Sequence, residues 1–560
     1  MKSTAWILLL CFLALGGCQR QDQFDLLITN AKIIDGSGNP WFAGDVGIRG
    51  DRIQAVGRLT PGATARRTID ANGAVLAPGF IDMLGQSELV LLADPRAMSK
   101  ISQGVTTEIT GEGESIAPQN DRTRNELRPE SEKYGITADW NDLDGYFQRL
   151  EKKGAAINIA TFVGATQVRE YVVGFDNRPP TPDELQQMKQ LVRQSMEQGA
   201  LGLSSALVYA PAVYAGTHEL IELARTAAEM GGIYITHIRN ERDREIEALY
   251  EATDIAREAK IPVEIWHLKV AGKQNWGKMT EVVNLINRFR SEGIDITADM
   301  YPYTASAAGL AASIPAWAHD GGTAKLLERL KDPAARAKIR ADMLSDKTEQ
   351  ENFYSGTGPE GIMISSVRKP ELKPFEGAFL STIAKEWKKD PTDALMDLLL
   401  ADSARTGSIY FSMSEPDIRI AMAQPWVSFN TDFNAVAADG LLHSGKPHPR
   451  AYGTFPRVLS RYVRQQNLLT MEDAIRKMTS LPAQRVGLSH RGLIKPGFFA
   501  DLVLINPASV QDKATFENPH QYSEGIDLVV VNGEPVWEHG SFTGKLPGRV
   551  LRGPGYHRAP

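Results

Sequence analysis

From about residue 79 to residue 478 the chain repeats one theme, a short apolar run followed by a longer amphipathic stretch. The apolar runs include "AAINIATFVG", "ALGLSSAL", "GIYITHIRNE", "VEIWHLKVAG", "IDITADMYPY" and "WVSFNTDFN". The stretches between them include "TPDELQQMKQLVRQSMEQG" and "THELIELARTAAEMG", whose apolar residues recur at helical spacing. Strands alternating with helices at this period imply a parallel sheet, and about eight such units suggest closure into a barrel. The expected fold is therefore α/β, with a (β/α)8 barrel over 79–478. One charged helical stretch, "TAKLLERLKDPAARAKIRADMLSD", breaks the rhythm and reads as part of an insertion over about 319–375.

Two β-rich ends flank this middle. "FDLLITNAKIIDGSGN" and "DVGIRGDRIQAVG" precede it, and "GLIKPGFFADLVLIN" and "IDLVVVNGEPVW" follow it. Residues 25–78 and 479–560 are expected to form one small β-sandwich domain from both chain ends. Ahead of them, "MKSTAWILLLCFLALGGCQR" carries Lys2, an apolar stretch too short for a comfortable span, and small residues before Cys18. That is the pattern of a secretion signal. "LGGC" resembles a bacterial lipobox, which implies a signal peptide over 1–17, lipidation of Cys18 and a linker to residue 24. Gln19 follows the cysteine where such lipoproteins retained at the inner membrane carry Asp, so the resemblance implies the periplasmic side of the outer membrane. The only cysteines are Cys11 and Cys18, both in this segment, which leaves the mature fold no disulfide and no thiolate ligand. A net charge of −6 without a long basic run argues against nucleic acid as the partner, and no later apolar run is long enough to span a bilayer. Membrane contact is expected only through the lipid anchor.

In parallel barrels the functional side chains lie at the C-terminal ends of the strands. Read in order, those ends offer Gln86, Glu112, Tyr209, His237, His267 with Lys269, Asp299 and Asp432. One strand-end histidine is more often a hydrogen-bonded structural residue than a ligand. Two on neighbouring strands raise the weight of a metal site. On the residues alone, Glu112 could still be a solvated loop charge and Asp432 a helix N-cap.

"PGFID", "QGVTTEITGEG", "LSSALVYAPAVYAGTHEL", "THIRNE", "HLKVAG", "YPYTAS", "NTD" and "HPRAYGTFPRVL" together resemble the D-aminoacylase (N-acyl-D-amino-acid deacylase) branch of the amidohydrolase superfamily. The resemblance spans nearly the whole mature chain. It implies one tightly held zinc ion, on His237, His267 and a loop residue that is cysteine in the family. Aligned on the downstream "SIAP", with the loop one residue shorter, Glu112 stands in the place of that cysteine; without that gap Gly113 would face it, with Glu112 and Glu114 on either side. The family follows "PGFID" with a His-any-His pair that belongs mainly to a weak second metal site. Here those positions are Leu84 and Gln86, so a full binuclear centre is not expected.

The resemblance further implies that Asp432 shuttles the proton between the attacking water and the leaving amide nitrogen. Tyr209 would help at the oxyanion, and Lys269 and Arg450 would hold a substrate carboxylate. The expected substrate is a small molecule with an amide bond and a carboxylate. Two other readings stand beside this one: a non-catalytic lipoprotein on the same fold, and a hydrolase of cyclic amides or dipeptides. Tyr214 and Tyr303 read as wall or core aromatics. His218, His443 and His448 are not expected to be ligands.

Overall fold

Eight parallel strands close the barrel in the computed structural model, which describes residues 23–59, 62–345 and 350–557. They are Phe80–Asp82, Val105–Thr110, Asn158–Thr161 continued by Val163–Gly164, Gly202–Ala206, Ile233–His237, Val263–Ile265, Ile296–Met300 and Val427–Phe429. Each pairs in parallel with the next. The ring is closed by a parallel bridge between Gly85 and Phe433, and by Met83 N donating to Phe429 O at 3.3 Å. All eight strands are buried along their length, as strands covered on both faces must be. The leader, the Cys18 lipobox and most of the linker lie outside the described residues. Among the described residues, no helix is long and apolar enough to cross a membrane.

The helices form where local chemistry starts them and an apolar stripe holds them. Pro182–Glu197 begins with a capping box in which Thr181 accepts from Glu184 N and Glu184 accepts from Thr181 N, with Pro182 in the first turn. Thr217–Ala228 buries Leu220, Leu223, Ala224 and Ala227 on one face, the spacing of a helix lying against a sheet.

The two chain ends meet in one β domain of nine strands. Its seam is the antiparallel pairing of Leu502–Ile505 with Val75–Pro78, the strand that leads directly into the barrel. On one side of the seam lie Phe24–Ile33, Phe42–Arg49, Arg52–Gly57 and Ala65–Asp70. On the other lie Ile526–Val531, Glu534–Glu538 and Ser541–Phe542. Leu26, Ile28, Ile33, Leu502, Leu504 and Val530 share its core, so residues from both ends bury one another.

The excursion between the seventh and eighth barrel strands is longer than the stretch over 319–375 that stands out by its charge. A three-stranded antiparallel sheet of Ser306–Gly309, Gly407–Tyr410 and Ile362–Ser366 belongs to it. Leu310 before that stretch and Leu395, Leu399 and Tyr410 after it bury into one cluster with Leu326, Leu330 and Ile339 within it. That shared apolar core sets the extent of the unit.

Candidate metal centre

Glu112, His237 and His267 converge at the C-terminal ends of three barrel strands. Glu112 lies two residues past Val105–Thr110, between Gly111 (φ +93°) and Gly113 (φ +62°). A Cβ at Gly111 would meet Phe162 O at 2.6 Å, and one at Gly113 would meet Ala206 Cβ at 2.7 Å. Only glycine turns the chain tightly enough there to aim the intervening glutamate inward. His237 ends its strand, and His267 follows Val263–Ile265 with a φ of +37°, a left-handed conformation that is costly for histidine. Its backbone N–H donates to buried Asp299 Oδ1 at 2.6 Å, which fixes that turn.

Two ring nitrogens face one carboxylate oxygen: Glu112 Oε1 lies 3.2 Å from His237 Nδ1 and 3.0 Å from His267 Nε2. One ligand atom from each residue lies within 4.8 Å of the others. Burial alone would raise the Glu112 pKa, but the two imidazoles outweigh it and hold the carboxyl well below the usual range. Burial and the Lys269 ammonium push His267 down, yet the Glu241 and Glu112 carboxylates win and lift it to about 10. The cage therefore favours positive charge between its members. Two imidazoles and a carboxylate make a set that suits zinc, so these residues fit a divalent ion.

The far sides of both rings rest on a second carboxylate. Glu241 Oε1 is 3.1 Å from His267 Nδ1, and Glu241 Oε2 is 3.4 Å from His237 Nε2. Lys269 Nζ donates to Glu241 Oε1 at 2.6 Å and lies 2.7 Å from His267 Nδ1. Despite full burial, the two imidazoles and Lys269 keep Glu241 ionised. A carboxylate hydrogen-bonded behind a metal-ligand histidine orients its ring; at 3.4 Å His237 Nε2 makes no such hydrogen bond among the described residues.

Asp432 does not cap a helix. It lies in the loop after Val427–Phe429 at φ +43°, and its N–H donates to Leu84 O at 2.8 Å. Its Oδ2 is 2.9 Å from Arg450 Nη2 and its Oδ1 accepts from Gln86 Nε2 at 3.2 Å. The same Gln86 nitrogen donates to Glu112 Oε2 at 3.0 Å. Burial raises the Asp432 pKa above the ordinary value, with Arg450 and His267 pulling against it.

Arg450 Nε and Nη1 and the Tyr301 hydroxyl are buried and have no hydrogen-bond partner among the described residues. Arg450 stacks 4.4 Å from the Tyr301 ring centroid, and Lys269 Nζ approaches the same ring at 5.7 Å. A small cavity lined by His267, Lys269, Tyr301, Tyr303 and Met413 lies against this group. Tyr209 packs edge-on to His237 at 5.4 Å.

Nine of the residues singled out in the sequence are thus gathered here: Gln86, Glu112, Tyr209, His237, His267, Lys269, Asp299, Asp432 and Arg450. The tyrosines read as wall residues behave so: Tyr214 donates to Ala316 O at 2.6 Å, and Tyr303 is buried. His448 spends both ring nitrogens, on Ala305 O and on Arg450 N. Sequence reasoning missed Glu241 and Tyr301. Glu241 sits four residues after His237 in "THIRNE", a spacing that could have suggested it.

Residues 67–354 and 431–537 match the profile of the Amidohydrolase family. The D-aminoacylase of Alcaligenes xylosoxydans xylosoxydans is 37% identical over 532 residues, covering 94% of this chain and 97% of that protein. A solved D-aminoacylase, studied for the role of its binuclear metal centre in one-metal activation and second-metal attenuation, superposes with a TM-score of 0.79 at 36% identity. It covers 94% of this chain and 100% of its own. N-acyl-D-glutamate deacylase from Bordetella bronchiseptica, complexed with zinc and a phosphonate mimic of the tetrahedral intermediate, gives 0.79 at 33% identity, covering 94% and 99%.

Proposed function

The chain belongs to the amidohydrolase family, and on that premise we propose that it hydrolyses the amide bond of N-acyl-D-amino acids, with one tightly held zinc ion on Glu112, His237 and His267. The observation that carries this is the gathering of those three ligand atoms beside Asp432 and the unpartnered Arg450 donors. Bound there, zinc supplies Lewis acidity and brings the pKa of water toward neutrality.

The protein's own groups do the rest. Asp432 accepts the proton of the attacking water and delivers it to the nitrogen of the leaving amine. Arg450 keeps that carboxylate oriented through its Nη2 contact. Arg450 Nε and Nη1 and the Tyr301 hydroxyl take up the substrate carboxylate, and Lys269 adds its charge on the same side. Tyr209, at the edge of the His237 ring, donates to the oxyanion of the tetrahedral intermediate. Products are a carboxylic acid and a free amino acid.

The test is hydrolysis of paired N-acetyl-D- and N-acetyl-L-amino acids by zinc-loaded and chelated protein. Activity on the D series that chelation abolishes and zinc restores is expected. Inert zinc-loaded protein on both series overturns the proposal. We place the enzyme on the periplasmic side of the outer membrane through a lipid on Cys18, supported by "LGGC". Cys18→Ser should leave the membrane fraction or fail to mature, and unchanged membrane association would refute the anchor.

A further inference from the structure

We propose that the Gln86 amide holds the place of a second metal ion, so that this centre works with one cation and Asp432 is positioned by an amide. The inference rests on the single-zinc reading above and adds Gln86 and Leu84, which that reading does not use. Gln86 Nε2 carries two N–H groups. One is donated to Glu112 Oε2 at 3.0 Å and the other to Asp432 Oδ1 at 3.2 Å. The positive end of a neutral, solvent-exposed amide thus lies between half-buried Glu112 and buried Asp432, the place where their fields would otherwise draw a cation.

Each carboxylate is divided. Glu112 gives Oε1 to the two histidines and Oε2 to Gln86. Asp432 gives Oδ1 to Gln86 and Oδ2 to Arg450. A second cation would have to displace both amide hydrogen bonds, and it would find no imidazole waiting. Leu84, two residues back, is fully buried in an apolar cluster with Met83, Phe162 and Trp266. What position 84 contributes is its carbonyl, which accepts Asp432 N at 2.8 Å. Residues 84 and 86 therefore hold Asp432 by backbone and by side chain respectively. Among the described residues, second-metal attenuation, the behaviour attached to the binuclear D-aminoacylase, finds no second group of metal-ligating side chains to act through.

The experiment compares wild type, Gln86→Met and Gln86→Glu. Zinc per chain is measured by elemental analysis after equilibration with limiting and excess zinc chloride. The thermal midpoint, kcat and KM on an N-acetyl-D-amino acid are measured on the same preparations. Wild type should stay near one zinc, with kcat indifferent to added zinc. Gln86→Met should keep its zinc and its fold while kcat falls by roughly 10- to 100-fold at little change in KM, because Asp432 loses its orientation. Gln86→Glu replaces a donor with a third carboxylate and should draw zinc content from about one toward about two per chain. If Gln86→Met does not fold, the stoichiometry of the near-isosteric Gln86→Glu decides. A second tight zinc in wild type, full kcat in Gln86→Met, or a single zinc in Gln86→Glu overturns the proposal. A wild type that holds no zinc overturns the single-zinc reading itself, a different result from any failure among the variants.

Discussion

Asp432 carries the sharpest single-residue prediction. It sits at positive φ, where asparagine is one of the few residues as comfortable as aspartate, so Asp432→Asn keeps the backbone path. The amide oxygen can still accept from Arg450, but the counter-charge is gone and the amide takes no proton near neutral pH. The expected result is a fall in kcat of roughly 10²-fold or more. Zinc content should be unchanged, since Asp432 is not among the three ligands. Elemental analysis and steady-state kinetics on one preparation check both halves, and near-normal kcat with zinc retained would remove Asp432 from the chemistry. The two strand-end histidines were legible at this scale because they stand out from apolar runs, whereas Glu112 was reached as a ligand only through the family resemblance. The Gln86 link was not. Its partners Glu112 and Asp432 lie 26 and 346 residues away in sequence, and a glutamine carries no spacing signature. Only the closed barrel brings the three together.

The element that aligns the two loops of the centre is the short helix Met98–Ile101. It delivers Lys100 into the barrel end, where Nζ donates to Asp82 Oδ2 at 2.8 Å, Thr431 Oγ1 at 2.7 Å and Phe433 O at 2.8 Å, and lies 3.2 Å from Glu108 Oε2. Lys100, Asp82 and Glu108 are fully buried. The ammonium thus ties the first two strands to the loop that carries Asp432. Replacing it by methionine keeps the bulk but strands two carboxylates in the interior. Breaking a buried ionic group in this way costs about 3–5 kcal/mol. Lys100→Met should therefore lower the denaturant midpoint strongly in equilibrium unfolding, and unchanged stability would show that the network contributes nothing. The strand–helix alternation was plain in the sequence because buried parallel strands read as uninterrupted apolar runs. The extent of the excursion over 301–426 was not, because its flanks carry ordinary helical and strand patterns and only their shared core with Leu326 and Ile339 reveals membership.

For the molecule as a whole, pH dependence follows from carboxyls buried away from the metal cage. Burial, reinforced by the charge of Glu108, pushes Glu88 up to about 7. Burial likewise lifts Glu264 to about 7 against the pull of Arg485. Between pH 4.5 and 7 the native state holds protons that the unfolded chain releases, so these groups make stability fall as pH rises through that window and level off above it. Glu112 and Glu241 act oppositely, but their contribution is lost only as pH drops below about 4.5. Glu88→Gln should match wild type near pH 4.5 and exceed it above pH 7 by up to about 3 kcal/mol. Thermal unfolding of both proteins across pH 5–8, at equal metal content, checks the sign. The seam of the β domain sets a different kind of limit. Arg52 bonds to Gly497, 445 residues away, and the strand that leads into the barrel pairs with Leu502–Ile505. A ribosome must therefore deliver nearly the entire polypeptide before its first sheet can be completed. Completion of that sheet, unlike the pairing of the barrel strands, waits on the end of synthesis.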